Sequence, residues 1–410
     1  MTSRYASLSR EELATLVPEL LLIGQLIDRS GMAWCISAWG REEMAQVAIE
    51  EWAGSSPIYT RRMQDALGYR GTDVITIFKG LQLDIGAPPQ FMDFRYTVHD
   101  RWSGEFHLDH CGALMDVEPM GESYVRSMCH DIEDPTFDAT AVATNAKAQV
   151  RPVHRPPRSE AALAADSRPH CRWTVVIDES HPPVEPLAPY YEIIRTRAAT
   201  VELDPIDATD EGQADYAGPL VSDVDFGAFS HSALVRIADE VVLQMHLLNL
   251  SYQLAVRTRA DAEQARDICT KQLTGIAGIA SERIRDALGL SADLEGAMRV
   301  LELHPLINPV PYNAAVLGAD SVTVSPSDAS VDGGWIGLCG PGAEAPLQAL
   351  VRGVDPSLDV EVSGTAQAWT ARVVRRDEPA PEAGEVAVTR FSTGAAFAFQ
   401  PRRSLPITPV

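Results

Sequence analysis

The residues best suited to chemistry are concentrated between positions 105 and 138. This stretch reads EFHLDHCGALMDVEPMGESYVRSMCHDIEDPTFD, and it holds three of the chain's ten histidines and two of its six cysteines. Histidine, cysteine and carboxylate side chains can ligate a metal, carry a proton or attack an electrophile. The sequence therefore predicts a functional site here.

The first version of this site is a thiol mechanism. Cys111 would attack an electrophilic carbon, and Asp131 or His130 would move the proton, with Cys129 beside them. We expect Cys111, Cys129 and Asp131 to be catalytic. The alternative is that both cysteines are inert core thiols, which is common for free cysteine. Cys129 lies near the end of a predicted helix, where the carbonyl groups raise a thiol pKa.

The second version is a metal site. Side chains two residues apart on a strand point the same way, so His107 and Asp109 could chelate one ion, and Cys111 would share their face. We expect His110 and His130 to join them, and the soft ligands favour zinc or iron, one ion per chain. The alternative is that His107 and His110 are ordinary polar residues of a strand.

The elements that must hold these residues follow from hydrophobic periodicity. Apolar residues at helical spacing predict helices before the site, and a change to a period of two predicts a hairpin, formed by 94–98 and 105–111. A short helix at 121–131 and strands at 136–144, 147–154 and 172–178 follow. The earlier helices are predicted at 10–28, 41–52, 56–67 and 72–83. Helices followed by an antiparallel sheet indicate an α+β fold.

An internal repeat extends this pattern to the second half. GSSPIYTRRMQDALG at 54–68 aligns with GIAGIASERIRDALG at 275–289, and the same offset in numbering aligns DPTFD at 134–138 with DPSLD at 355–359. We call this spacing, from Gly54 to Gly275, the repeat offset. Two anchors with one offset predict a tandem duplication of a domain with a helical half and a sheet half. The predicted organisation is a first repeat at 1–180, an acidic, Pro-rich connector at 181–233 and a second repeat at 234–410.

The two repeats differ in their chemistry. HCGAL at 110–114 aligns best with LCGPG at 338–342, so Cys111 would correspond to Cys339 and His110 to Leu338. The second repeat lacks seven residues after this point and has no counterpart of Cys129 or His130. We therefore expect an active first repeat and a structural or regulatory second one.

Two Asp-Pro pairs are best interpreted as boundaries between secondary-structure elements. Asp134-Pro135 and Asp355-Pro356 are predicted to end a helix and begin a strand, because the residue before a proline disfavours the helical conformation.

Composition excludes several classes of partner. The chain has 57 acidic and 34 basic residues, a net charge of −23, which repels nucleic acid and anionic membrane surfaces. No run of 18 apolar residues and no signal peptide is present, so we expect a cytoplasmic protein whose cysteines remain thiols.

The order Phe106-x4-Cys111, seventeen residues, then Cys129-His130-Asp131 resembles the family of L-2-amino-thiazoline-4-carboxylic acid hydrolase-like proteins. The resemblance covers less than half of the first repeat. It implies a cytoplasmic hydrolase that opens a small heterocycle at a C–N bond, with the cysteine and aspartate region as its site. The chain departs from the family in its duplication and in its richer histidine and aspartate content.

These observations predict an enzyme that acts on a small-molecule substrate, with hydrolysis of a C–N bond at a Cys/His/Asp site that holds zinc or iron in the metal version. The alternative is a non-catalytic protein that binds a ligand or senses a metal. The sequence has no nucleophile elbow, phosphate-binding loop or dinucleotide fingerprint, which disfavours α/β-hydrolases, kinases and dehydrogenases.

Overall fold

The computed structural model of the chain describes residues 2–165, 167–392 and 404–407. Helices make up 53% of it, and the strands form two antiparallel sheets of four strands each, which confirms the predicted α+β class. None of the helices in these ranges has both the length and the apolar character that a membrane span requires.

Two long helices open the first half. α1 (Arg10–Trp39) begins at Ser9, whose side chain forms a reciprocal capping box with Glu12. Gly40, with φ 85°, allows the sharp reversal into α2 (Arg41–Ala66). The shorter α3 (Val74–Leu81) follows, and the side chain of Asp73 caps its N-terminus.

The first sheet follows these helices. Its strands are β1 (Met92–Val98), β2 (Ser103–Cys111), β3 (Ala148–His154) and β4 (Cys171–Ile177), in the spatial order β1-β2-β4-β3. Between β2 and β3 the chain forms α4 (Gly112–Val117), a 3-10 turn (Glu118–Met120), α5 (Glu122–Arg126), a π-helical stretch (Ser127–Ile132) and α6 (Glu133–Val142), and α7 (Glu160–Ala164) precedes β4. Phe106 and Trp173 stack on the inner face, and Phe137 of α6 packs edge-on against both.

The second half runs through the same order of elements. Its two long helices are α10 (His231–Arg257) and α11 (Ala262–Leu288), followed by α12 (Leu294–Leu303) and a sheet of β5 (Ala315–Leu317), β6 (Ser321–Val324), β7 (Leu358–Gly364) and β8 (Trp369–Arg375). The spatial order β5-β6-β8-β7 matches that of the first sheet. α13 (Asp328–Asp332) and α14 (Ala345–Arg352) lie between β6 and β7, and α15 (Gly384–Arg390) follows β8.

Four long helices form the centre of the molecule, where α1 packs on α11 and α2 packs on α10. A Cβ atom added to Gly54 would lie 2.2 Å from Oγ of Ser251, and one added to Gly275 would lie 2.4 Å from Oγ of Ser30. The repeat offset relates Gly54 to Gly275 and Ser30 to Ser251. The two halves therefore approach each other closely at two equivalent glycine–serine contacts, to which each half contributes one glycine and one serine.

A pair of ion pairs has the same relationship. Arg62 of α2 binds Glu240 of α10, with 2.9 Å between Nε and Oε2, and Arg283 of α11 binds Glu19 of α1, with 2.6 Å between the same atoms. The repeat offset also separates Arg62 from Arg283 and Glu19 from Glu240, so the offset found in the sequence describes the helices correctly.

The connector between the halves is tied to both of them. It contains α8 (Ala188–Ile193) and α9 (Arg197–Thr200). Nζ of Lys79 in the first half donates to the carbonyl oxygen of Tyr216, at 2.7 Å. Asp332 in the second half accepts hydrogen bonds from the backbone N–H groups of Arg197 and Ala198.

Several predicted elements change in the structure. The helices predicted separately at 41–52 and 56–67 form one continuous helix, α2. Pro57 lies inside this helix and does not end it. The strand predicted at 136–144 is wrong, since these residues belong to α6 and the turn after it. The β-branched residues of this segment follow a helical path because one side of it packs on the sheet. The hairpin, the helix at 121–131 and the strands at 147–154 and 172–178 are confirmed within one to three residues.

The downstream anchor of the repeat is wrong. Asp134-Pro135 lies in the first turn of α6, directly after the π-helical stretch where the regular hydrogen-bond ladder is already interrupted, whereas Asp355-Pro356 lies between α14 and β7 as predicted. The structural counterpart of Asp355 is Asn145. Each accepts a hydrogen bond from the backbone N–H group two residues later, and each begins the turn into a strand.

Candidate functional site

The two predicted catalytic cysteines are buried. Cys111 ends β2, and its Sγ accepts a hydrogen bond from the backbone N–H group of Leu114 at 3.4 Å. Burial raises the pKa of Cys111 to about 12, and burial also raises the pKa of Cys129 well above its usual range. A thiol with such a pKa is almost entirely protonated at neutral pH, and the thiolate is the nucleophile. The thiol mechanism therefore has little electrostatic support.

A third cysteine, which the sequence did not single out, lies in the same buried region. Burial raises the pKa of Cys171 on β4, and the charge of Glu133 raises it further, as it does for Cys111 and Cys129. The negative charge of an ionised Glu133 therefore raises the pKa of all three thiols.

The predicted metal ligands are spread over the outside of this region. Nε2 of His107 lies 3.6 Å from Oδ1 of Asp109, and both side chains are about one third exposed on the outer face of β2. The expectation that Cys111 shares this face is wrong, because a bulge in β2, where Asp109 and His110 face the single residue Asp93 of β1, shifts the register and Cys111 is buried. His110 is half-buried, and burial lowers its pKa.

The remaining predicted residues lie on the π-helical stretch. One ring nitrogen of His130, Nε2, lies 2.7 Å from the carbonyl oxygen of Pro156, so a backbone group satisfies it. Asp131 is exposed. Within residues 2–165, 167–392 and 404–407, no group of three or more His, Cys, Asp or Glu residues is arranged to hold a metal ion. The zinc or iron site stays a prediction without a matching ligand set.

A different set of polar residues surrounds a cleft in the first half. The cleft lies between α1, α2, the segment after α3, β1 and α6, and its empty volume is about 640 Å³, part of it open to solvent. Aromatic side chains form much of its wall, and three charged or titratable groups face it. The aromatic residues are Trp52, Tyr59, Phe94 and Phe137, and the polar ones are Arg29, Asp84 and Glu133. An apolar, aromatic wall with a few polar groups is the composition typical of sites for small organic molecules.

Asp84 is held in place by two hydrogen bonds to one oxygen. Its Oδ1 accepts from the hydroxyl group of Tyr59 at 2.9 Å and from the backbone N–H group of Gly86 at 2.7 Å. Burial raises the pKa of Asp84 to about 6 even though both hydrogen bonds lower it. The other oxygen, Oδ2, accepts no hydrogen bond from the described part of the chain.

Glu133 contributes the second carboxyl group, at the start of α6. Its Oε2 is sealed from solvent and has no hydrogen-bond partner among the described residues, although the residue as a whole is partly exposed. Burial raises the pKa of Glu133 to about 8, and the opposing charge of Arg155 only partly offsets this. At neutral pH Glu133 is therefore mostly a neutral acid that can donate a proton.

Arg29 is fixed by the aspartate that precedes it. Nε and Nη2 of Arg29 both donate to Oδ2 of Asp28, and Nε1 of Trp52 donates to Oδ1 of Asp28 at 3.2 Å. The remaining nitrogen of Arg29, Nη1, has no acceptor within the described ranges. It is therefore the atom of this guanidinium that can bind a ligand in the cleft.

A buried glutamate completes this group. Glu51 lies beside Asp28, and burial together with the charge of Asp28 raises the pKa of Glu51 well above its usual range. A neutral Glu51 leaves Asp28 and Arg29 as a balanced pair, which limits the cost of burying three ionisable groups together.

The second half differs from the first at the matching positions of its helices. A space of about 210 Å³ in the second half lies elsewhere, between α12, α14 and the sheet, and aliphatic residues such as Leu301, Val322, Leu347 and Val360 line it. At the repeat offset, Asn249 replaces Asp28, Leu250 replaces Arg29, and Gln272 replaces Glu51. Nδ2 of Asn249 donates to Oε1 of Gln272 at 2.9 Å, so a neutral hydrogen bond occupies the place of the charged group.

The strand pairing also corrects the predicted match of the cysteines. Leu108 pairs with Cys171 in the first sheet, and Val324 pairs with Trp369 at the same place in the second. The residue three positions later is Cys111 in the first half and Ser327 in the second, and each directly precedes a short helix. Cys111 therefore corresponds to Ser327, not Cys339. By the same register His110 corresponds to Pro326 and not to Leu338.

Sequence reasoning missed the cleft because its walls come from elements between residues 25 and 140. One signal was available. Asp28, Arg29 and Glu51 interrupt apolar helices, and the same positions in the second repeat are uncharged. Comparison with known proteins finds no matching family model, no matching curated protein and no matching solved structure.

Proposed function

We propose that the first-half cleft is the active site of an enzyme that hydrolyses a C–N bond of a small molecule. The observation that carries this proposal is a pair of carboxyl groups with separated pKa values in one cleft, about 6 for Asp84 and about 8 for Glu133. Two carboxyl groups with environments that separate their pKa values are the usual basis of paired acid and base catalysis. At pH 7, Asp84 is mostly ionised and Glu133 is mostly protonated.

The two groups would divide the proton transfers of hydrolysis. Asp84 would accept a proton from water while the water oxygen forms a bond to carbon. The C–N bond would break, and the leaving nitrogen would take the proton of Glu133. Asp84 would end protonated and Glu133 ionised, and exchange with solvent would restore both before the next turnover.

Arg29 would hold the ligand. Because Asp28 already binds two of its nitrogens, a ligand that accepts a hydrogen bond from Nη1 meets a guanidinium fixed in position. An anionic group on an apolar or aromatic body suits the combination of Arg29 with Trp52 and Phe94. The reaction class is the one implied by the resemblance to the L-2-amino-thiazoline-4-carboxylic acid hydrolase-like family, carried out by carboxyl groups instead of thiols.

We infer in addition that the chain arose by duplication of one α+β domain. The support is the pairing of Gly54 with Ser251 and of Gly275 with Ser30, together with the shared strand order of the two sheets. In this view the second copy has uncharged residues where the first has Asp28, Arg29 and Glu51, and it kept its packing role.

A ligand screen tests the proposed function. Nitrogen heterocycles and cyclic amides, each with and without a carboxylate, would be screened by thermal shift, and compounds that bind would be incubated with the protein and analysed by mass spectrometry. We expect carboxylate-bearing compounds to raise Tm and at least one to gain the mass of one water. The matched control for variants of the cleft carboxyl groups, such as Glu133→Gln, is Glu122→Gln, which removes an exposed carboxylate on the neighbouring α5.

Two outcomes count against the enzyme. Binding without turnover of any compound would favour the alternative, a ligand-binding protein with the same cleft. Binding that is unchanged in Arg29→Leu would show that the ligand lies elsewhere.

A further inference from the structure

The segment that carries Asp84 is held by a residue of the other half of the molecule. Nε2 of Gln244, on α10, donates to the carbonyl oxygen of Leu83 at 2.9 Å, and Oε1 of Gln244 accepts from the backbone N–H group of Ile85 at 3.0 Å. Gln244 is 1% exposed. A single buried amide therefore satisfies the backbone groups on both sides of Asp84.

The same segment is fixed from its other side by α1. The side-chain amide of Gln25 lies 3.2 Å from the carbonyl oxygens of Ile85 and Gly86, and it donates to both when its nitrogen is assigned to the side that faces these two acceptors. A Cβ atom on Gly24 would lie 2.5 Å from the side chain of Ile85, so α1 approaches this segment as closely as a glycine permits. Two glutamines, one from each half, thus clamp residues 83–86.

The counterpart segment of the second half is also held across the halves but without a glutamine, since Tyr5 donates to the carbonyl oxygen of Leu303 at 2.9 Å and Arg4 to that of Ile307 at 2.8 Å. The counterpart of Gln244 in α1 is Ile23, which has no polar side-chain atom, and the counterpart of Ile85 is Leu306. The backbone N–H group of Leu306 donates to Nδ1 of His304 within its own segment, at 3.1 Å. The counterpart of Asp84 in that segment is Pro305, which has no carboxyl group to position.

We propose that Gln244 is a positioning residue of the first-half cleft, which holds the carboxyl group of Asp84 in place through the backbone of Leu83 and Ile85. The second half is then a part of the site and not only a scaffold beside it. What Asp84 does in the cleft rests on the proposed function, whereas the clamp itself does not.

The test compares two glutamines on the same helix. Gln244→Met replaces the clamp with a side chain of similar shape. Gln253→Met is the matched control, because Gln253 is equally buried and, among the described residues, bonds only to Asn249 and Arg257. Hydrogen–deuterium exchange of peptides that cover residues 82–87 is measured in the full chain. We expect exchange at Ile85 to accelerate at least tenfold in Gln244→Met and to stay at the wild-type rate in Gln253→Met.

A second measurement distinguishes the loss of positioning of Asp84 from a general loosening of the structure. In protein labelled with ¹³C at aspartate carboxyl groups, the resonance of Asp84 should titrate about one pH unit lower in Gln244→Met, because a carboxyl group that moves toward water approaches its ordinary pKa. If Gln244→Met does not fold, Gln244→Glu keeps the acceptor for Ile85 and should show a smaller acceleration at this amide.

The proposal is overturned if the exchange and the Asp84 titration of Gln244→Met match the wild type, or if Gln253→Met changes both to the same extent. A clamp that passes these tests in a protein that binds no compound of the ligand screen would leave Gln244 as a positioning residue and remove the proposed reaction.

Discussion

The two halves share a strand order and a pair of long helices, and they differ in the side chains at matching positions. In the first half Arg29, Asp84 and Glu133 face a cleft of about 640 Å³, whereas in the second half Leu250 and Pro305 stand at the positions of Arg29 and Asp84. The second half shows that this arrangement of helices and strands needs no charge at these positions. The buried charged groups of the first half are therefore not requirements of the fold, and function is the reason we assign to them.

The largest expected effect is on activity. Glu133→Gln and Asp84→Asn remove the proton donor and the proton acceptor, and each should lower kcat/KM by about 10²- to 10⁴-fold on a substrate found in the screen. In the wild type the pH profile of kcat/KM should be bell-shaped, with limbs near 6 and 8. Full activity in both variants would show that the active site lies outside the cleft.

The next effect is on stability, and it makes the first half resemble the second. Arg29→Leu leaves Asp28 buried without its cation, which should cost about 3 to 5 kcal/mol in the free energy of unfolding. The triple variant Asp28→Asn, Arg29→Leu, Glu51→Gln introduces the neutral pair that Asn249 and Gln272 form, and it should recover most of this loss. Urea unfolding measures both.

The control for this comparison is Arg70→Leu, which breaks an exposed pair with Asp65 and should change stability by less than about 1 kcal/mol. A triple variant as unstable as Arg29→Leu alone would mean that the two halves differ in more than these three side chains.

A smaller effect is a dependence of stability on pH. The pKa of Glu133 is raised in the folded state, to about 8, so the folded protein binds a proton that the unfolded chain releases near pH 4 to 5. Its contribution to stability is complete below that range and is lost as the pH rises through 8, at a rate on the order of 1 kcal/mol per pH unit. Glu133→Gln removes this loss, so its Tm relative to wild type should rise between pH 5 and pH 9. A constant difference would show an ordinary pKa for Glu133.

The smallest effect distinguishes the carboxyl account from the thiol account. Cys111→Ser introduces the residue that Ser327 supplies in the second half, and we expect a cost below about 1.5 kcal/mol and unchanged kcat/KM. Cys129→Ser should also retain activity, and Cys339→Ser should change stability only modestly. Loss of activity in Cys111→Ser without unfolding would restore the thiol mechanism.

The fold could be predicted from the sequence where local signals were strong. The helical spacing of apolar residues at 10–28 and the change of period at Phe94 to Val98 indicated helices and then a hairpin, and both are present. The segment at 136–144 was misassigned because its Val, Thr and Ala residues suit a strand, whereas its packing on the sheet favours a helix. The Asp-Pro motif occurs at two places that are not structural counterparts. Only the structure reveals this, because it matches Asp355 with Asn145 and places Asp134 inside a helix.

The candidate site could not be predicted to the same extent. Clustering of histidine and cysteine in the sequence led to residues that the fold separates, with His107 and Asp109 on the outer face of the sheet and Cys111 buried. Glu133 was passed over because its unusual pKa arises from burial, which a sequence does not display. Residues far apart in the chain, such as Arg29 and Glu133, become neighbours of one cleft only through tertiary packing.

The central claim is that the cleft holds an acid and a base that are ready to act, and the most direct test needs no substrate. In the wild-type chain labelled with ¹³C at aspartate and glutamate carboxyl groups, the titration curves should include one group near pH 6 that disappears in Asp84→Asn and one near pH 8 that disappears in Glu133→Gln. If neither variant removes a resonance that titrates above pH 5.5, both carboxyl groups are ordinary surface-like acids, and the account is wrong.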